Sequence, residues 1–205
     1  GSDAPYLALL NAVATRQASL IADWLHVGFV HGVMNTDNSA ISGETIDFGP
    51  CAFMEAYNPV TVFSSIDRNG RYAYQNQPGI AQWNMARLAE TLLPLIDEDQ
   101  NRAVDLANEA VIAYAETFNA SWLSGMRRKL GLRLEEDGDR ALIDGFLNAL
   151  LVNRADFTLA FRRLSDAAEG PENEAAFFEL ITEDRALAMG WLATWRERLA
   201  REAMS

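Results

Sequence analysis

"HGVMNTDNSAISGETIDFGP", residues 31–50, decides how the rest of this chain is read. It gathers His31, Asn35, Asp37 and Asn38, then closes on Asp47-Phe48-Gly49, and it contains no lysine or arginine. Two readings compete. In the first, "SAI" and "TIDF" flank Ser42-Gly43-Glu44 as a small β-hairpin, and the acidic residues are turn formers. In the second, the stretch is a metal-nucleotide site. Mg²⁺ prefers hard oxygen ligands, typically one or two carboxylates with phosphate oxygens and waters. Asn38 and Asp47 offer such ligands if a hairpin folds them together. Asp37, beside Asn38, would point elsewhere and could take a proton from an incoming hydroxyl.

Upstream of this stretch, Leu7, Leu10, Ala14, Ala18, Ile21 and Leu25 recur at spacings of three and four. That spacing predicts one helix with a single buried stripe over residues 4–30, loosened at its end by Gly28 and Gly32. Downstream, residues 50–79 show no clear period but carry Phe53, Tyr57, Phe63, Tyr72 and Tyr74. A segment of this kind in a compact domain is more often functional than idle, and its aromatics predict that it packs onto the body.

From Pro78 the chain reads as helix almost to its end. Pro78 suits a first helical turn, Gly131 a C-cap behind Arg127, Arg128 and Lys129, and Asp156 and Asp184 N-caps. Gly170-Pro171-Glu172-Asn173 reads as a loop. The expected fold is mainly α, one helical domain with a small β element near its N-terminal third. Trp83, Trp122, Trp191 and Trp195 fall on apolar helical faces and are expected in the core.

The composition excludes several functions. A length of 205 residues with 49% hydrophobic content supports a substantial core. A net charge of −12 and a pI near 4.6 argue against a general nucleic-acid or membrane-surface binder, which would need a basic face. No apolar run reaches the ~20 residues that span a bilayer. The single cysteine, Cys51, allows no intrachain disulfide and fits a reducing compartment; without a partner thiol it reads as a small buried residue. Two histidines and one cysteine do not make a typical zinc site without several carboxylates. Gly1-Ser2 in place of an initiator methionine reads as an expression-tag scar ahead of a domain over residues 3–205.

Protein kinases hold their nucleotide with H-R-D-x-x-x-x-N followed by D-F-G, the Asn and the second Asp binding metal. His31 and Asn38 have the same seven-residue separation, and Asp47-Phe48-Gly49 is a literal D-F-G. The position of the catalytic Asp, however, holds Val33. With "HGVMNTDN", "TIDFGP" and "GRYAYQNQPGIAQWNMARLAETLLPL" in order, the chain strongly resembles the selenoprotein O (YdiU-like) family. "MRRKLGL" at 126–132 and "DFTLAFRRLS" at 156–165 extend the resemblance more weakly.

The resemblance implies a pseudokinase with a kinase-like fold that moves AMP from ATP to Ser, Thr or Tyr hydroxyls of proteins, with ATP bound in reversed orientation. It implies Asp37 as the base, Asn38 and Asp47 as ligands of Mg²⁺ or Mn²⁺, and ATP as co-substrate. It also implies that the chain is an isolated kinase-like C-lobe. The N-lobe with its phosphate-contacting Lys and Arg, and a C-terminal tail, would lie outside it, leaving the fragment inactive alone. The family relation places the protein in a bacterial-type cytoplasm, or a mitochondrion for a eukaryotic source.

Arg71, Tyr72, Asn76 and Gln77 occupy the stretch equivalent to an activation segment. They either contact substrate or pin the loop by hydrogen bonds. His31 and His26 read as structural. A non-catalytic acidic helical interaction module is the alternative function, and an ordinary protein kinase a third, disfavoured by Val33.

Overall fold

The structure, a computed structural model, describes residues 4–203; the expected tag scar at Gly1-Ser2 lies outside them. Seven α-helices and one two-stranded sheet are present among the described residues, so the fold is mainly α as expected. The helices are α1 (Pro5–His26), α2 (Gln77–Ile96), α3 (Gln100–Lys129), α4 (Asp139–Asn153), α5 (Phe157–Ala167), α6 (Ala175–Phe178) and α7 (Arg185–Ala203). The strands are β1 (Phe29–Val30) and β2 (Ala52–Phe53).

The chain divides into two compact units. The first comprises residues 1–52 and 59–122, the second residues 53–58 and 123–205, so α3 begins in one and ends in the other. In the first unit α1 packs along α2. Leu10, Ala14, Ala18, Ile21 and Leu25 of the predicted stripe are all buried, each larger side chain contributing about 1.5–3 kcal/mol. Leu10 closes a cluster with Ala89, Ala107 and Ala110. The helix stops at His26, four residues earlier than the spacing suggested, because Gly28 turns the backbone into the left-handed region at φ 72°.

In the second unit α4 packs against α7 and α5 against α6. Phe146, Phe157, Phe161, Trp191 and Trp195 form a chain of ring contacts at 4.6–5.8 Å. The predicted caps are present. Asp156 Oδ1 accepts from Leu159 N–H at 2.8 Å, and Asp184 Oδ1 from Leu187 N–H at 2.9 Å. Gly131 takes φ 76° just beyond α3, after Arg127, Arg128 and Lys129. Pro171–Asn173 is a single 3₁₀ turn.

Two expectations are corrected. Residues 39–48 form no hairpin: neither flank is a strand, and the sheet instead pairs β1 with β2 at the two ends of the whole acidic loop. Short polar residues around Gly43 lack the alternating apolar face that would hold a hairpin down. Trp83 is not core; it is 43% exposed, with the Arg71 and Arg87 guanidiniums each 5.1 Å from its ring. Cation–π contact there replaces burial. Trp122, Trp191 and Trp195 are buried as expected.

Candidate functional site

Residues 31–51 have almost no regular structure, so their backbone needs partners from elsewhere. Side chains of α1 and α2 supply them. From α1, Gln17 Nε2 donates to Ala40 O at 2.6 Å and Trp24 Nε1 to Thr45 Oγ1 at 2.9 Å. From α2, Asn84 Nδ2 donates to Met34 O at 3.2 Å and to Ser39 Oγ at 2.8 Å. Gln77 takes both roles: its Oε1 accepts from His31 N–H at 2.9 Å, and its Nε2 donates to Phe29 O at 2.9 Å. The loop also lies tight against the helix. A Cβ at Gly43, where φ is 80°, would fall 2.7 Å from Cβ of Arg16, so only glycine fits there.

His31 joins the two halves of the loop. Its ring is fully buried, stacked on Trp24 at 5.3 Å with the Phe29 ring at 6.3 Å. Nδ1 accepts from Val33 N–H at 3.4 Å, and Nε2 lies 2.8 Å from Ile46 O. These partners assign the proton to Nε2, which donates to the carbonyl just before Asp47. The structural reading of His31 therefore holds. His26 is buried as well, its Nε2 3.0 Å from Trp122 O.

Thr36–Asn38 form a 3₁₀ turn, closed by Asn38 N–H to Asn35 O at 3.0 Å. Asn38 Nδ2 donates to Val33 O at 3.0 Å, which fixes the amide and leaves its carbonyl oxygen as an acceptor. Asp37 is exposed. Asp47 is also exposed and sits at φ 55°, with Gly49 N–H closing a tight turn on its carbonyl at 2.8 Å. Asp and Asn tolerate this left-handed region better than other side chains. Among the described residues, neither the Asp37 nor the Asp47 carboxylate has an ion pair or side-chain hydrogen bond. No group of three or more His, Cys, Asp or Glu there could hold a metal unaided.

The activation-segment candidates separate by environment. Gln77 is buried and holds β1 and His31 as described. Asn76 Nδ2 donates to Gly70 O at 2.7 Å. Tyr72 OH donates to Asn35 Oδ1 at 2.6 Å, one residue before the 3₁₀ turn. The Asp67 carboxylate accepts from both Arg71 N–H and Tyr72 N–H at 2.8 Å. The Arg71 side chain is exposed beside Trp83. Cys51, expected to be buried, is only half-buried at the mouth of β2.

Sequence reasoning missed Gln17, Trp24 and Asn84 as builders of this loop. A signal existed for two of them: Gln17 and Asn84 are amides inside otherwise apolar helical stripes, and both are buried. A buried amide needs a partner, and here that partner is the loop backbone. No helix among the described residues is long and apolar enough to cross a membrane.

A family model described as "Protein adenylyltransferase SelO" matches residues 1–205. Three relatives carry the name protein nucleotidyltransferase YdiU. That of Rhizobium leguminosarum bv. trifolii is 62% identical over 201 residues, 98% of this chain and 40% of its own length. That of Bradyrhizobium diazoefficiens is 58% identical over 205 residues, 100% of this chain and 41% of its own. That of Agrobacterium fabrum is 58% identical over 201 residues, 98% of this chain and 41% of its own. The chain thus spans about 40% of the length of the curated relatives it matches.

Proposed function

This chain belongs to the SelO family of protein adenylyltransferases, and we propose that it supplies the base and the metal ligands of an AMP-transfer site within a kinase-like C-lobe. The observation that carries this reading is the pair of exposed, unpartnered carboxylates, Asp37 and Asp47, on a loop that buried side chains hold rigidly.

In the proposed reaction a Ser, Thr or Tyr hydroxyl of a protein attacks the α-phosphorus of ATP. An O–P bond forms, the bond from that phosphorus to the bridging oxygen breaks, and pyrophosphate leaves with its electron pair. Asp37 takes the hydroxyl proton. Asn38, fixed by Val33 O, and Asp47, fixed by its tight turn, would hold Mg²⁺ or Mn²⁺, whose chemistry is to offset charge on the phosphate oxygens. His31 positions both halves of the loop without touching substrate. Val33 occupies the place of a kinase base and carries no carboxylate, which favours AMP transfer over phosphate transfer. The products distinguish them: pyrophosphate for the first, ADP for the second.

Residues 31–50 carry Asp37, Glu44 and Asp47 and no cation, so nucleotide phosphates meet repulsion here beyond what one divalent ion offsets. The chain alone is expected to bind nucleotide weakly and to turn over negligibly, the phosphate-binding cations belonging to other parts of the full-length protein. The test is a thermal-shift titration with ATP and Mg²⁺ or Mn²⁺, beside Asp47→Gly, which removes the side-chain oxygens at a backbone that glycine accepts. Saturation at ~100 times the dissociation constant would stabilise by about 2.7 kcal/mol. A metal-dependent shift absent from the variant supports the site. An equal shift in both proteins refutes Asp47 as a ligand, and AMP incorporation into protein by this chain alone refutes its inactivity.

A further inference from the structure

The acidic loop has no cation of its own, but the fold brings one to its edge. Tyr72 OH donates to Asn35 Oδ1 at 2.6 Å, which fastens the segment around residues 67–76 to the loop two residues before Asp37. The preceding residue, Arg71, is exposed, as are Asn35 and Asp37. Backbone and side chain of Arg71 have separate tasks. The N–H groups of Arg71 and Tyr72 both donate to the Asp67 carboxylate at 2.8 Å, so the main chain is pinned. The guanidinium makes no ion pair and no hydrogen bond among the described residues. It lies instead 5.1 Å from the Trp83 ring and 5.8 Å from the Tyr72 ring.

Contact with ring faces orients a guanidinium without using any of its N–H donors, which keep the planar fork that fits a carboxylate. The ring that orients it is itself placed against the loop. The residue after Trp83 on α2 is Asn84, which donates to Met34 O and Ser39 Oγ. The neighbouring charges are engaged. Asp67 holds two backbone amides, and Arg87, the other guanidinium over Trp83, pairs with Glu90 at 2.7 Å. Arg71 keeps its donors open, and Trp83, 43% exposed, gives an apolar face beside them.

Charge decides what such a fork receives. Asp37, Glu44 and Asp47 repel any acidic group that approaches the loop, so a carboxylate is accepted at this edge only where a cation offsets them. The proposed site also gives the edge a side. Nucleotide phosphates belong with the metal at Asn38 and Asp47, whereas the acceptor hydroxyl comes to Asp37, and Arg71 is tied to the loop through Asn35, ahead of Asp37. We propose that Arg71, set on Trp83, is a specificity-determining residue that binds a carboxylate side chain of the protein substrate close to the acceptor hydroxyl, so that Ser, Thr or Tyr in an acidic sequence is selected. This substrate class rests on the AMP-transfer reading and extends it.

The experiment uses the full-length protein with ATP, Mg²⁺ and two peptide pools. Each pool has a central Ser, Thr or Tyr, flanked by Glu in one and by Lys in the other, and AMP incorporation is followed for both. The wild type should favour the Glu pool. Arg71→Gln should lower that preference about fivefold, the size of one well-made exposed ion pair, through KM for peptide, with kcat and KM for ATP unchanged. Arg71→Glu should turn the preference toward the Lys pool. Both variants should unfold at the wild-type temperature, since the guanidinium holds no other part of the chain by a hydrogen bond. Equal use of the two pools by the wild type, or a Glu preference that survives Arg71→Glu, overturns the proposal and leaves AMP transfer standing. A raised KM for ATP with both pools assigns Arg71 to nucleotide phosphate and overturns it too. No AMP incorporation into either pool by the wild type refutes the AMP-transfer reading itself, and this proposal with it.

Discussion

Around Arg198, each buried charge has a partner. Arg198 Nε donates to Asp139 Oδ1 at 2.8 Å, Nη1 to Glu202 Oε1 at 2.8 Å and Nη2 to Leu134 O at 2.7 Å, while Glu202 also accepts from Leu134 N–H at 3.0 Å. In residues 31–51 the polar side chains of the helices are spent on the backbone, and the carboxylates of Asp37 and Asp47 are left unpaired. Both regions bury polar groups. Their difference separates buried charge that closes on itself, which holds a structure, from carboxylates that face solvent. A count of acidic residues would not distinguish them.

The sharpest break of this comparison is Arg198→Met. It strands Asp139, 1% exposed, without a counter-charge, and should cost about 3–5 kcal/mol in urea unfolding. Arg140→Met, at the exposed pair with Asp144, is the control and should cost no more than about 0.5 kcal/mol. Equal effects would mean the buried cluster is not holding the unit. In the loop, Gln77→Leu removes the partners of His31 N–H and Phe29 O together and should cost about 2 kcal/mol. A loss below about 0.5 kcal/mol would show that the loop is held by packing alone.

Acid should act on the cluster. Burial by itself would raise the Glu202 carboxyl, but hydrogen bonds from Leu134 N–H, the Arg198 guanidinium and Arg133 N–H together hold it below its usual range. A carboxyl lowered on folding gives stability that is present above its unfolded pKa, near 4.5, and is lost as pH falls through the folded value. Glu202→Gln should therefore flatten the acid limb of a stability–pH curve below about pH 4.5. A wild-type limb that persists unchanged in the variant would exclude this linkage.

The smallest expected effect sharpens the contrast most. Asp47→Gly relieves a non-glycine residue at φ 55° and should leave stability unchanged or raised by up to about 1 kcal/mol. The same variant should lose any Mn²⁺- or Mg²⁺-dependent thermal shift. Retention of the shift would place the ligand elsewhere.

Much of the fold was legible because helical burial is periodic. The α1 stripe, the Pro78 start, the Gly131 stop and the Asp156 and Asp184 caps all rest on local spacing, and the structure has them. The hairpin at 39–48 failed for the same reason in reverse. Without alternation, local sequence does not choose between a strand and a clamped irregular loop. Trp83 failed because apolar spacing alone does not anticipate Arg71, twelve residues earlier in sequence, lying over the ring.

The sequence by itself determined the order of helices, the net charge of −12 and the residues of the acidic loop, since each depends on identity and short-range spacing. His31 as a joint between the loop halves, the clamps from Gln17, Trp24, Gln77 and Asn84, and the unpaired state of Asp37 and Asp47 were decided only by tertiary structure. Each is a hydrogen bond, or the lack of one, between groups up to 50 residues apart. Chain closure over such distances is set by how the helices pack, and no local pattern encodes it.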